Sequence, residues 1–60
     1  MSNRAIAKAY WRSIKRGTKT FAETPEELAA MVRELAQRDL QDGVITQEDY
    51  LRWIGLELEE

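Results

Sequence analysis

Three segments of this sequence place apolar residues at the three- and four-residue spacing of an α-helix, and each is bounded by residues that start or stop helices. They cover about residues 3–16, 25–41 and 47–54. No segment alternates apolar and polar residues for long, and no Asn-Gly hairpin signal is present. We therefore predict an all-α, compact three-helix bundle in which the outer two helices pack on the longer middle one.

The first helix has a start signal and a stop signal of its own. Ser2 or Asn3 can cap its first turn with a side-chain oxygen, and Gly17 follows two basic residues, Lys15 and Arg16, which favour the negative end of the helix dipole. The side chains predicted to face the core are Ile6, Ala7, Tyr10 and Ile14.

The second helix is predicted to begin at Pro25, with Thr24 as its N-cap and Glu27 completing a capping box. Residues 18–23 have no helical period, so we expect a loop that folds Phe21 onto the core. The inner face of the second helix is predicted to carry Leu28, Met31, Val32, Leu35, Ala36 and Leu40.

The segment from Asp42 to Asp49 resembles the second half of an EF-hand calcium loop, because a glycine turn is followed at the right spacing by an isoleucine and an acid. The first ligand position of such a loop would fall on Arg38, so we interpret the segment as a helix–turn–helix joint in which Gly43 stops one helix and Thr46 caps the next. The third helix is predicted to bury side chains among Tyr50, Leu51, Trp53 and Ile54, with Ile45 as a hydrophobic staple against Tyr50. Residues 56–60 are predicted to fray, with Leu56 or Leu58 touching the core.

The side chains on which most enzymes depend are scarce here. The 60-residue chain has no histidine and no cysteine, so it lacks an imidazole base, a thiolate nucleophile and the usual zinc ligands. Its two serines have no histidine partner, and no glycine-rich phosphate loop is present. We expect one domain over residues 1–60, without catalytic activity, cofactor or metal site, and without the run of about 20 apolar residues that spans a membrane.

Charge is divided unevenly along the chain. Residues 1–20 hold six Lys and Arg and no acid, whereas residues 21–60 hold three Arg and all 11 acids, so that charges of +6 and −8 give the net −2. On a helical wheel, five basic residues of the first helix fall within an arc of about 120°, with Trp11 at its border. We call these five the basic face: Arg4, Lys8, Arg12, Lys15 and Arg16.

Three interpretations of the basic face remain open at this point. It can be a solvated surface balanced by acids of the other helices. It can contact nucleic-acid phosphates, with Tyr10 and Trp11 as stacking groups. It can bind an acidic partner protein or an anionic membrane surface, in which case an exposed Trp11 would be a strong contact residue. Self-association that buries Trp11 or Trp53 is a further expectation for so small a core.

The first of two further segments carries Ala7-Lys8, Tyr10, Ile14-Lys15, Gly17, Lys19-Thr20-Phe21 and Pro25-Glu26. This pattern resembles very short proteins encoded in the tail modules of bacteriophages and prophages. The second carries Asp42-Gly43-Val44-Ile45-Thr46-Gln47-Glu48-Asp49-Tyr50 with Ile54-Gly55, is similar to the XkdX-like small phage proteins, and also resembles the SHOCT module, a helical hairpin proposed to mediate oligomerisation. The resemblance implies a phage-related accessory or protein–protein interaction protein in the cytoplasm of a bacterial host, with association with a virion as the alternative.

Overall fold

The computed structural model describes residues 2–55, and within them it contains three α-helices and no strand. The helices are α1 (Asn3–Arg16), α2 (Glu26–Gln41) and α3 (Gln47–Ile54), and a short 3-10 turn (Phe21–Glu23) lies between α1 and α2. Both α1 and α3 pack on α2. The predicted all-α three-helix bundle is therefore confirmed, whereas the contacts predicted for Leu56 or Leu58 lie outside the described residues.

Helix α1 begins and ends as its sequence predicts. The Ser2 hydroxyl accepts a hydrogen bond from the Ala5 N–H at 3.2 Å, which satisfies one of the free donors of the first turn. Gly17 adopts a left-handed conformation (φ +84°), and its N–H donates to the Ile14 carbonyl at 3.1 Å. This geometry needs a residue that tolerates positive φ, which is why the helix stops at the glycine.

The start of α2 differs from the prediction. Pro25 is extended (φ −56°, ψ 145°) and is the N-cap, so the helix begins at Glu26 and the N-cap makes no side-chain hydrogen bond. This places Thr24 one residue too early to reach the free N–H groups of the first turn. Thr24 is instead buried, and its hydroxyl has no hydrogen-bond partner among the described residues. The predicted capping box of Thr24 and Glu27 is wrong.

The joint between α2 and α3 follows the predicted helix–turn–helix interpretation. Gly43 has a φ of +78° just after α2 ends, and Thr46 is the N-cap of α3. The Thr46 hydroxyl accepts from the Asp49 N–H at 3.1 Å, while the Asp49 carboxylate accepts from the Thr46 N–H at 3.3 Å. This reciprocal pair is the predicted capping box. Within residues 2–55, no three acidic side chains are grouped as a metal ion would require.

The core lies where α1 and α3 meet α2. Its buried members are Ala7, Trp11, Ile14, Val32, Ala36, Ile45, Tyr50 and Ile54. The Trp11 and Trp53 rings meet edge to face, with centroids 5.8 Å apart and planes at 82°, which links α1 directly to α3. Phe21 is half-buried against this cluster, as predicted for the loop. None of the helices within residues 2–55 combines the length and the apolarity of a membrane span.

Candidate interaction surface

Four members of the basic face form an exposed row along α1. Arg4, Lys8, Arg12 and Arg16 follow one another at four-residue intervals, and all four side chains are exposed. An interval of four residues is slightly more than one helical turn and advances about 6 Å, so the row runs along one side of the helix for about 18 Å. Among the described residues, none of these four cations takes part in an ion pair. Their charge is therefore presented to solvent.

Lys15, the fifth member of the basic face, has a different environment. It is half-buried, and its Nζ lies 3.1 Å from the Asp39 Oδ2 of α2. The same ammonium lies 5.1 Å from the centroid of the Trp11 ring. Lys15 is thus neutralised inside the α1–α2 interface and contributes less than the other four to the field outside the protein.

Trp11 was expected to be a contact residue only if it were exposed, and it is buried. Only 5% of its surface is exposed, and its indole Nε1 donates to the Asp39 Oδ2 at 2.9 Å. The helical wheel places Trp11 at the border of the basic face, but Asp39 and the Trp53 ring cover the indole from two other helices. Trp11 is a core residue and does not belong to the surface that a partner could touch.

Asp39 is the acid that organises this interface, and it was not predicted. Burial raises the pKa of Asp39, but the hydrogen bonds from Trp11 and Lys15, together with the positive charges of Lys15 and Arg38, hold the pKa below its usual value. The carboxylate is therefore ionised at neutral pH. A sequence signal for it exists, because Asp39 falls three residues after Ala36 and one before Leu40, among residues of the predicted inner face of α2.

Beside the exposed row, the surface between α1 and α2 forms two shallow depressions. The larger, of about 240 Å³, is lined by Lys8, Trp11, Arg12, Lys15, Leu35 and Asp39. The smaller, of about 80 Å³, is lined by Arg4, Glu34, Leu35 and Arg38. Arg38 extends the positive surface from α1 onto α2, whereas Glu34 and Asp39 limit how far an anion could enter between the helices.

A separate groove lies on α1, away from the two depressions. Its volume is about 270 Å³, and most of its lining is apolar. The residues around it are Ala5, Ile6, Ala9, Tyr10, Ser13 and Lys19. We call it the Tyr10 groove. Ile6 and Tyr10 were predicted to face the core, but both are only half-buried and one side of each remains accessible in this groove.

No family model matches the chain, and searches of curated proteins and of solved structures found no significant match. The predicted resemblance to XkdX-like phage proteins and to the SHOCT module thus stays a prediction. The candidate site consists of a row of four exposed cations, a fifth cation neutralised by Asp39, and an apolar groove next to the row.

Proposed function

We propose that this chain is a small, non-catalytic interaction module that binds an acidic partner protein through the exposed row of the basic face. The observation that carries the proposal is that Arg4, Lys8, Arg12 and Arg16 are all exposed on one side of α1 and form no ion pair with another described residue. Carboxylates of a partner would supply the countercharge that the described part of the fold does not.

Repulsion within this row destabilises α1 in the free protein, and this supports the proposal. Like charges four residues apart on a helix are destabilising by about 0.2–0.5 kcal/mol per pair, and the row contains three such pairs in succession. Arg4 also lies in the first turn of α1, where the helix dipole favours an acid, and this turn contains none. An arrangement that weakens its own helix is understandable if a partner relieves the repulsion on binding.

A protein partner is favoured over nucleic acid by the surroundings of the row. Burial of Trp11 removes one of the two aromatic side chains predicted to stack on bases. The other, Tyr10, has the Lys19 ammonium 5.6 Å from its ring centroid. Glu34 and Asp39 lie in the depressions beside the row and repel any anion there. A protein partner can place its carboxylates against the row alone, whereas the phosphates of a duplex recur all along it. Nucleic-acid binding is retained as the alternative function, since phosphates and carboxylates share the same attraction to the row.

The biological setting in the proposal comes from the motif resemblance alone. We infer a phage- or prophage-derived accessory protein in the cytoplasm of a bacterial host, or associated with a virion. The neighbourhood of the gene tests this part directly. Genes for tail and lysis proteins beside it would support the inference, and a neighbourhood without phage genes would contradict it.

The role of the exposed row in binding a partner is tested with two variants of equal net charge. The neutralised variant carries Arg4→Gln, Lys8→Gln and Arg12→Gln. The control carries Ala30→Glu, Gln41→Glu and Gln47→Glu, three exposed positions of α2 and α3, so that both variants lose three units of charge. From nuclease-treated host lysate, we expect the native and control proteins to capture the same partner and the neutralised variant to lose it. Equal capture by all three proteins would contradict the proposal.

A gel-shift experiment with a short DNA duplex tests the alternative function, nucleic-acid binding. Phosphate contacts give affinity that falls steeply with salt, so binding through the row would be strongest at low salt. We expect no shift even there, because the acids beside the row repel the duplex. A shift at low salt that disappears in the neutralised variant would favour nucleic acid as the ligand.

A further inference from the structure

The Tyr10 groove and the exposed row are neighbours on the same helix. At 100° per residue, Ala5 projects from α1 between Arg12 and Arg16, and Ala9 projects 20° beyond Arg16. Ala5 and Ala9 are exposed and carry only a methyl group, so the surface of α1 is depressed there relative to the longer side chains around it. The outer side of α1 therefore passes from cations, through small side chains, into an apolar groove.

The size of the groove limits what it can hold. Small-molecule pockets usually enclose about 300–1,000 Å³. The Tyr10 groove, at about 270 Å³, is smaller and open. It suits a single large apolar side chain that arrives as part of a longer ligand.

The edge of the groove adds a further charge. Lys19 follows the end of α1 and reaches back over the Tyr10 ring, with its Nζ 5.6 Å from the ring centroid. Arg12 and Arg16 project on the other side of Ala9. An apolar side chain in the groove would thus be flanked by cations on two sides, which is the charge pattern that an acidic partner complements.

We propose that the partner docks as an acidic amphipathic helix alongside α1, with one leucine- or phenylalanine-sized side chain in the Tyr10 groove, a row of carboxylates against Arg12 and Arg16, and a further carboxylate against Lys19. A helical partner fits because carboxylates at four-residue intervals repeat about every 6 Å, the spacing of the row on α1. The apolar side chain acts as the anchor, and the ion pairs select for acidic ligands. This inference rests on the proposed function and specifies its partner.

A second copy of the chain suits this surface poorly. Two α1 helices packed through it would bring two exposed rows of cations together, and like charges across an interface are unfavourable. Sedimentation velocity across a concentration series checks the point. We expect a monomer, and a dimer that the Tyr10-groove variant below disrupts would overturn the proposed partner in favour of self-association.

The test uses a defined helical peptide of about 15 residues with capped ends, which carries glutamates at four-residue intervals and one leucine in the adjacent row. A second peptide has the leucine replaced by glutamine. The groove is blocked by Ala9→Gln, and Ala30→Gln, at an exposed alanine of α2, is the matched control. Gln is a good helix former, so both variants are expected to keep the native circular dichroism spectrum.

At low salt, we expect Ala9→Gln to weaken binding of the leucine peptide about tenfold, and Ala30→Gln to leave it unchanged. The glutamine peptide should bind native protein and Ala9→Gln with the same low affinity. Because this peptide has no apolar side chain to place in the groove, blocking the groove removes no further contact. In spectra of isotope-labelled protein, the leucine peptide should shift the signals of Ala5, Ala9 and Tyr10.

The outcomes separate the two proposals. A variant with Arg12→Gln and Arg16→Gln removes the two cations of the row that the peptide should contact. If Ala9→Gln binds the leucine peptide as native protein does, while this double variant does not, then the groove proposal is wrong and the basic-face proposal stands. If the double variant also binds as native protein does, both are wrong. Absence of binding to native protein at about 1 mM peptide in low salt would likewise overturn both.

Discussion

Trp11 and Asp39 are joined across the α1–α2 interface by a hydrogen bond of 2.9 Å, from the indole Nε1 to the carboxylate Oδ2. The Lys15 ammonium reaches the same oxygen at 3.1 Å. Two donors from α1 therefore converge on one acceptor from α2. Because the donors lie four residues apart on α1, the contact fixes how the helix is rotated against α2, and so which of its residues face solvent.

Removal of the Asp39 carboxylate should destabilise the fold. Asp39→Ala leaves a buried indole N–H without its acceptor, which costs about 1–3 kcal/mol. Asp39→Asn keeps an oxygen acceptor and should cost less. Urea denaturation followed by tryptophan fluorescence measures both, with Glu34→Ala, an exposed acid of the same helix, as the control. A loss for Asp39→Ala no larger than that for Glu34→Ala would show that the contact does not stabilise the interface.

The stability of the fold should fall in acid. Burial raises the pKa of Asp39, but the hydrogen bonds from Trp11 and Lys15 and the charges of Lys15 and Arg38 together lower it further than burial raises it. The hydrogen bond from the Thr46 N–H lowers the pKa of Asp49. Both pKa values thus lie below the unfolded value of about 3.9. At a pH between the folded and the unfolded pKa values, the unfolded chain binds more protons than the folded one. The two carboxylates therefore contribute fully to the free energy of unfolding above about pH 4, and this contribution is lost as the pH falls through the folded pKa values.

Denaturation at a series of pH values between about 7 and 2 measures this loss, and Asp39→Asn should show a shallower dependence because one of the two groups no longer titrates. The same slope in Asp39→Asn as in native protein would mean that Asp39 takes no part in the acid response.

The two threonines that precede α2 and α3 should differ in how much stability the fold loses when their hydroxyl groups are removed. Thr46→Ala removes the cap of α3 and should cost about 1 kcal/mol. Thr24→Val replaces a buried hydroxyl that has no partner among the described residues, so it should be neutral or stabilising. Thermal unfolding of the two variants provides the comparison. A substantial loss of stability in Thr24→Val would indicate that its hydroxyl is bonded in solution.

Gly17→Ala tests the stop of α1. A methyl group at this position would meet no atom within 4 Å, so any cost must come from the backbone, whose φ is +84°. The expected loss is about 1 kcal/mol, since alanine is strained in the left-handed region. Gly17→Asn should lose less, because asparagine tolerates this conformation better. Equal stability of Gly17→Ala and native protein, measured by urea denaturation, would contradict the structure of the turn.

The helices could be predicted from the sequence because their signals are local. Ser2, Gly17 and Thr46 act within one turn of their own positions, and each ends or begins a helix as predicted. Thr24 was misassigned because its role depends on the backbone angle of the next residue: an extended Pro25 shifts the helix start by one position. Sequence spacing alone does not distinguish a proline at the N-cap from one inside the first turn.

The candidate site was only partly predictable, because part of it depends on tertiary contacts. Helical spacing was enough to group Arg4, Lys8, Arg12 and Arg16 on one side of α1. The burial of Trp11 depends on Asp39 and Trp53, which belong to other helices, and the wheel of one helix carries no information about them. The Tyr10 groove was missed for a related reason, because a half-buried side chain belongs to the core on one side and to the surface on the other.

The unfolding free energy of the Arg4→Gln, Lys8→Gln, Arg12→Gln variant tests most directly whether the exposed row is a binding surface or a structural one. At low salt, the loss of the like-charge pairs should leave the variant as stable as native protein or more stable by about 0.5–1 kcal/mol, and the gain should vanish at high salt. A loss of more than about 1 kcal/mol would show that these side chains hold the fold together, which contradicts their assignment as a surface kept for a partner.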